Sequence, residues 1–200
     1  ITYWEMPYLE KLGCNKNKIV YIPNSVPDEF FKVNFKKFRR NARILFLGRI
    51  SPIKDLETLI KALSLLKDQD ISLDIVGPRE EEYHKELKEL IRKLNLENKI
   101  AFKEPVYNVK DKIKSLMSAD IFVLPSKREG MPQALVEAMA LGRIVIASDA
   151  SGNRDIVQHG ENGFLFKQGE YNDLAQGISF CIDEKNRKYL IELQKNARES

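Results

Sequence analysis

Strand-like and helix-like segments alternate along most of this chain, and that alternation limits the folds open to it. Residues 42–47 read as a strand ended by Gly48, and residues 55–66 as a helix with Leu56, Leu59, Ile60, Leu63 and Leu66 on one face and Asp55 as its cap. Residues 71–76 form the next strand, closed by Gly77-Pro78, and residues 80–94 a charged amphipathic helix. A short strand at 100–102, a helix at 109–118, a strand at 120–124, a helix after Pro132 and a strand at 144–147 continue the series. A last short strand falls within 159–166, and helices follow from about Tyr171. Such a series predicts an α/β fold: a Rossmann-like parallel sheet with helices on both faces. Ligands of such sheets bind where strands end and helices begin.

The most informative stretch is Glu129-Gly-Met-Pro-Gln-Ala-Leu-Val-Glu137. It places Glu129 on a strand-to-helix loop and Glu137 inside the following helix. Pro132 suits the first helical turn and Gly142 the helix end. The helix is apolar nearly all round, through Ala134, Leu135, Val136, Ala138, Met139, Ala140 and Leu141. A helix of that kind is buried, so the carboxylate of Glu137 needs a partner, and a hydroxyl-rich ligand is one candidate. Solvated glutamates at a chance spacing are the plainer alternative.

A second candidate lies at Gly48-Arg-Ile-Ser-Pro-Ile-Lys-Asp55, also at a strand end. Arg49 and Lys54 stand just before a helix N-terminus, where backbone N–H groups and the helix dipole favour an anion. Arg grips phosphate with two hydrogen bonds and Lys adds a compact charge. The segment is neither a P-loop nor a G-x-G-x-x-G dinucleotide fingerprint.

Composition excludes several classes. Two hundred residues allow one domain with at most a fragment of a second. The net charge of +4 is too small to argue for nucleic acid. Cys14 and Cys181 are isolated, which fits a reducing compartment and hence the cytoplasm. His84 and His159 lack zinc-ligand spacing; His84 reads as a surface residue and His159 as part of a turn before Gly160. The 30–43 stretch interleaves Phe31, Phe35 and Phe38 with Lys32, Lys36, Lys37, Arg39 and Arg40. It is either a solvated linker or a peripheral contact with an anionic membrane at the inner face.

Together these segments resemble the C-terminal, donor-binding half of a retaining glycosyltransferase of family 4, with the GT-B fold. The resemblance rests on Ile22-Pro-Asn-Ser-Val-Pro-Asp28, Gly48 to Lys54, Phe122-Val-Leu-Pro-Ser126, Glu129 to Gly142, Asp149 to Gly152 and His159-Gly-Glu-Asn-Gly-Phe-Leu165. It implies a nucleotide-diphosphate sugar as donor and transfer of a hexosyl group, with no metal. Arg49 and Lys54 would hold the diphosphate beside Gly48. Glu129, with the Gly130 and Met131 backbone, would contact the sugar, Glu137 the ribose, and the loop around Val106 the base. A non-catalytic nucleotide-sugar-binding module and a GT-B epimerase share the scaffold. A two-carboxylate glycosidase does not need the Arg49–Lys54 site. Arg143, Asp155 and Ser25 depart from the family pattern, away from the phosphate site. The resemblance makes residues 1–24 the hinge end of an N-terminal domain absent from this sequence. It makes 25–200 the nucleotide-sugar-binding domain with its closing helix cut short. The loops carrying Arg49, Glu129 and Gly152 are then expected to face solvent.

Overall fold

The computed structural model describes residues 5–34 and 42–200. Its elements are helix α1 (Met6–Lys11), strand β1 (Ala42–Leu47), α2 (Leu56–Leu65), β2 (Ile71–Val76), α3 (Glu81–Lys93), β3 (Ile100–Lys103), α4 (Val109–Ser118) and β4 (Ile121–Leu124). They continue with α5 (Gln133–Ala140), β5 (Ile144–Ser148), α6 (Ser151–Arg154), β6 (Phe164–Phe166), α7 (Tyr171–Ile182) and α8 (Arg187–Glu199).

The six strands form one parallel sheet in the order β3-β2-β1-β4-β5-β6. The central strands β4 and β5 are buried at every position, as expected for strands covered on both faces. Crossovers run outward from β1 one way and from β4 the other, which divides the helices between the two faces. On one side α2 packs on α3 and α7; on the other α5 packs on α8. The direction of crossover reverses between β1 and β4, and the carboxyl ends of these strands flank the resulting crevice.

Two turns show why their residues are glycines. Gly77 has φ 149°, and a Cβ there would stand 1.9 Å from the Gly48 carbonyl oxygen. The loops after β1 and β2 therefore touch backbone to backbone. Gly142, at φ 61°, ends α5: its N–H donates to Met139 O and the Arg143 N–H to Ala138 O.

Several local expectations are corrected. Asp55 occupies the capping position of α2 but in a left-handed conformation, and its side chain bonds to the Thr58 hydroxyl at 2.8 Å instead of capping the backbone. Pro132 precedes α5 rather than lying in its first turn. His84 is buried, edge-on to Phe102 with ring centroids 4.5 Å apart. Desolvation, then Lys88 and Arg79, holds its pKa below the usual histidine range. It shares the inner face of α3 with Tyr83, Leu87 and Ile91. Arg143 is also buried and donates to the Ala119 carbonyl at 3.0 Å. Of the basic, aromatic stretch, Phe30 is buried and Phe31 is half exposed. Phe35, Lys36, Lys37, Phe38, Arg39 and Arg40 lie outside the described residues. Among the described residues no helix is long and apolar enough to cross a membrane.

Candidate functional site

At the crevice beside β1 and β4 the chain leaves a cleft of about 320 Å³. Gly48 and Arg49 enter it from the end of β1, Gly77 and Pro78 from β2, Val106 from the loop after β3 and Glu129 from the loop after β4. Parallel pairing delivers all four strand ends to one edge of the sheet.

The position of each side chain has a local cause. The β1 and β2 loops are zipped together: Ile50 N–H donates to Pro78 O at 2.8 Å and Glu80 N–H to Ile50 O at 3.0 Å. With Gly48 N–H donating to Val76 O at 3.0 Å, this fixes the backbone on either side of the exposed Arg49. The short 3-10 turn Pro52–Lys54 is tied to the β4 loop through Lys127 N–H to Ile53 O at 2.8 Å. That tie brings Lys54 Nζ within 2.5 Å of Glu129 Oε1, with both side chains largely covered. The two groups named separately from sequence are thus an ion pair.

The Glu129 loop is held from behind. Gly152, at the start of α6, lies so close that a Cβ there would stand 2.0 Å from Gly130 O and 2.7 Å from Glu129 O. Asn24 Nδ2 donates to Met131 O at 3.0 Å, and Gln133 Nε2 to Ser25 O. Arg49 is exposed as expected, whereas Glu129 and Gly152 are buried within the domain itself. Their loops pack against each other, which the expectation of open loops did not allow for.

The helix N-terminus at the cleft also differs from expectation. The first N–H of α2, at Leu56, donates to Tyr83 Oη, and the Asp55 carboxylate sits beside it. Burial and a hydrogen bond to Glu57 push the Tyr83 phenol above its ordinary range. That helix start is committed to protein groups. Pro132, Gln133 and Ala134 line the cleft, so the helix start that borders it is that of α5.

One turn further along α5, Glu137 is almost fully buried and also reaches the cleft. The partner its burial demanded is Lys112 of α4, whose Nζ lies 2.8 Å from Oε1. Oε2 has no hydrogen-bond partner. Seven of the eight residues named from sequence line the cleft: Gly48, Arg49, Lys54, Val106, Glu129, Met131 and Glu137. Gly130 does not; it is exposed beside it. Sequence reading missed Lys112 and Gln133. Lys112 stands three residues after Val109 and four before Leu116, on the packed side of α4 and away from Lys110 and Lys114, but a lysine there carries no sequence mark of a binding role. Among the described residues no group of three or more His, Cys, Asp or Glu side chains could hold a metal.

The family described as glycosyl transferases group 1 matches residues 27–200. The chain belongs to this family. An uncharacterized glycosyltransferase of Haemophilus influenzae is 31% identical over 185 residues, which span 91% of this chain and 50% of that protein. The putative colanic acid biosynthesis glycosyltransferase WcaL of Escherichia coli is 29% identical over 96% of this chain and 48% of its own length. Anabaena HepE, solved in complex with UDP and glucose, is 30% identical with a TM-score of 0.74, over 80% of this chain and 43% of that one. Solved structures that share the Rossmann-like fold are GT-B glycosyltransferases. This group 1 chain spans about half the length of the curated relatives it matches.

Proposed function

We propose that the chain binds the donor in a retaining hexosyltransferase, which moves a sugar from a nucleoside diphosphate to an acceptor hydroxyl. The observation that carries this reading is the convergence of Arg49, Lys54 and the α5 N-terminus with Glu129 and Glu137 in one cleft. Two cations and a helix dipole suit a diphosphate. Two carboxylates suit the hydroxyls at either end of it. HepE, whose complex holds UDP and glucose, supports the nucleotide and the sugar.

In this reading Arg49, Lys54 and the α5 N–H groups face the diphosphate beside Gly48. Glu129, with the Gly130 and Met131 backbone, accepts from sugar hydroxyls. Glu137 accepts from the ribose, and the Val106 backbone faces the base. When the bond from the anomeric carbon to the diphosphate breaks, negative charge grows on the leaving oxygen. Preorganised cations and N–H groups stabilise that charge, each worth roughly 3 kcal/mol when it faces the developing anion. The acceptor oxygen then bonds to the same face of the anomeric carbon and passes its proton to the departing diphosphate oxygen, which has taken the electron pair of the broken bond. A further domain of the whole protein supplies the acceptor site, in keeping with the half-length match to the relatives. Glycan assembly is the setting, as the WcaL name suggests for that relative.

Incubating the whole protein with radiolabelled donor and a panel of acceptors tests the reaction. Transfer with retained anomeric configuration is expected. Tight donor binding without turnover would favour a binding module, and recovery of an epimerised nucleotide sugar an epimerase.

Two further results are expected. Glu137→Gln weakens a ribonucleoside diphosphate by roughly fivefold or more and its 2′-deoxy analogue much less, since only the ribose presents the second hydroxyl. Calorimetry on both ligands checks this; equal losses would return Glu137 to a structural role. Treatment with EDTA leaves donor binding unchanged, because Arg49, Lys54 and a helix terminus supply the positive charge. A strict requirement for Mg²⁺ or Mn²⁺ in the same titration would contradict the site as drawn.

A further inference from the structure

We infer that Lys112 is the positioning residue of the nucleotide end of this cleft, holding Glu137 so that one carboxylate oxygen is left for the ligand's vicinal hydroxyls. The inference rests on the assignment of Glu137 to a ribose and adds a residue that assignment does not contain.

Three observations carry it. Lys112 lines the cleft and comes from α4, a different element from any of the charged groups at the diphosphate end. Its ammonium lies 2.8 Å from Glu137 Oε1. The Glu137 side chain is 4% exposed, and Oε2 is buried without a hydrogen-bond partner. A buried carboxylate needs a counter-charge, and here it has one on one oxygen only. The second oxygen keeps its full capacity to accept, on a residue lining the cleft. Hydroxyl donors satisfy such an atom, whereas a phosphate would be repelled by it.

The position of Lys112 is itself fixed. Asn108 caps α4 by accepting from the Asp111 N–H at 2.9 Å, and the Lys112 N–H donates to Asn108 O at 3.1 Å. The ammonium therefore reaches Glu137 from a helix whose start is anchored one turn earlier. The Lys112 side chain is 29% exposed and lines the cleft.

Lys112 acts through Glu137, so its removal has a signature. Lys112→Met frees the carboxylate to rotate and to draw water onto both oxygens. Calorimetry with UDP and 2′-deoxy-UDP, with the GDP and ADP pairs alongside, reads the effect on the parent, Lys112→Met, Lys112→Arg, Glu137→Gln and the Lys112→Met/Glu137→Gln double variant. The expected result is that Lys112→Met lowers affinity for the ribo ligand about tenfold and for the deoxy ligand less than twofold, as loss of a charge-organised contact predicts. Lys112→Arg restores most of the preference. In the double variant, Lys112→Met adds no further loss to that of Glu137→Gln, since the two act as one unit. Thermal melts confirm that each variant is folded.

A Lys112→Met protein that keeps the parent's ribo-to-deoxy preference would overturn the inference while leaving Glu137 on the ribose. Additive losses in the double variant would do the same. A parent with no ribo preference for any of the three bases would overturn the ribose assignment, and this inference with it.

Discussion

Alanine in place of Lys54 lowers affinity for a nucleoside diphosphate by roughly tenfold or more, and leaves binding of the nucleoside nearly unchanged. Arg49→Ala gives the same pattern with a smaller loss. The ranking follows from burial. Arg49 is exposed and its charge is screened. Lys54 is mostly covered, and it neutralises Glu129 at 2.5 Å. Removing it takes a cation from the proposed phosphate site and also leaves Glu129 as an unpaired, buried carboxylate at the same cleft. The second effect can be separated from the first. Adding Glu129→Gln to Lys54→Ala should recover part of the lost diphosphate affinity, because the repulsive charge is gone. Calorimetry on nucleoside, nucleoside diphosphate and sugar nucleotide reads all three. Equal loss for nucleoside and diphosphate would remove Lys54 from the phosphate site.

The second large effect comes from Gly152, which touches no ligand in this account. Its α-carbon lies against the backbone of Glu129 and Gly130, and a methyl group there would meet Gly130 O at 2.0 Å. One of the two backbones must move. Overpacking of this kind costs about 2–3 kcal/mol, which for a domain of this size lowers Tm by about 5 °C or more. The displaced loop carries Glu129, so Gly152→Ala should also weaken sugar-nucleotide binding more than it weakens the bare nucleotide. Gly130→Ala is the control: nothing stands within 4 Å of a Cβ there. It should melt within a degree or so of the parent. Identical melting of Gly152→Ala and Gly130→Ala would show that the loop yields freely, and the packing argument would fail.

The sheet was legible because parallel strands covered on both faces leave continuous apolar runs, as at Phe122-Val-Leu124 and Ile144-Val-Ile146. The loops bearing Arg49 and Glu129 were legible for a related reason: strand ends in such a sheet share one edge. Contacts that depend on the relative rotation of two helices were not. Lys112 and Glu137 are 25 residues apart on α4 and α5, and nothing local to either marks them as partners. That the start of α5, and not that of α2, lines the cleft was equally hidden, and Tyr83, a residue of α3, claims the first N–H of α2. His84 is different, because its burial could have been read. Tyr83, His84, Leu87 and Ile91 follow helical spacing, and the surrounding charges of α3 concealed that stripe.

The cleft at the β1–β4 crevice is proposed to take a nucleoside diphosphate sugar. Calorimetric titration of UDP-, GDP- and ADP-glucose into the parent protein, Lys54→Ala and Glu137→Gln tests it most directly. One-to-one binding of at least one of these ligands is expected, weakened by either substitution. No binding of any of the three to the folded parent, or binding that both variants preserve at the parent's strength, would contradict it.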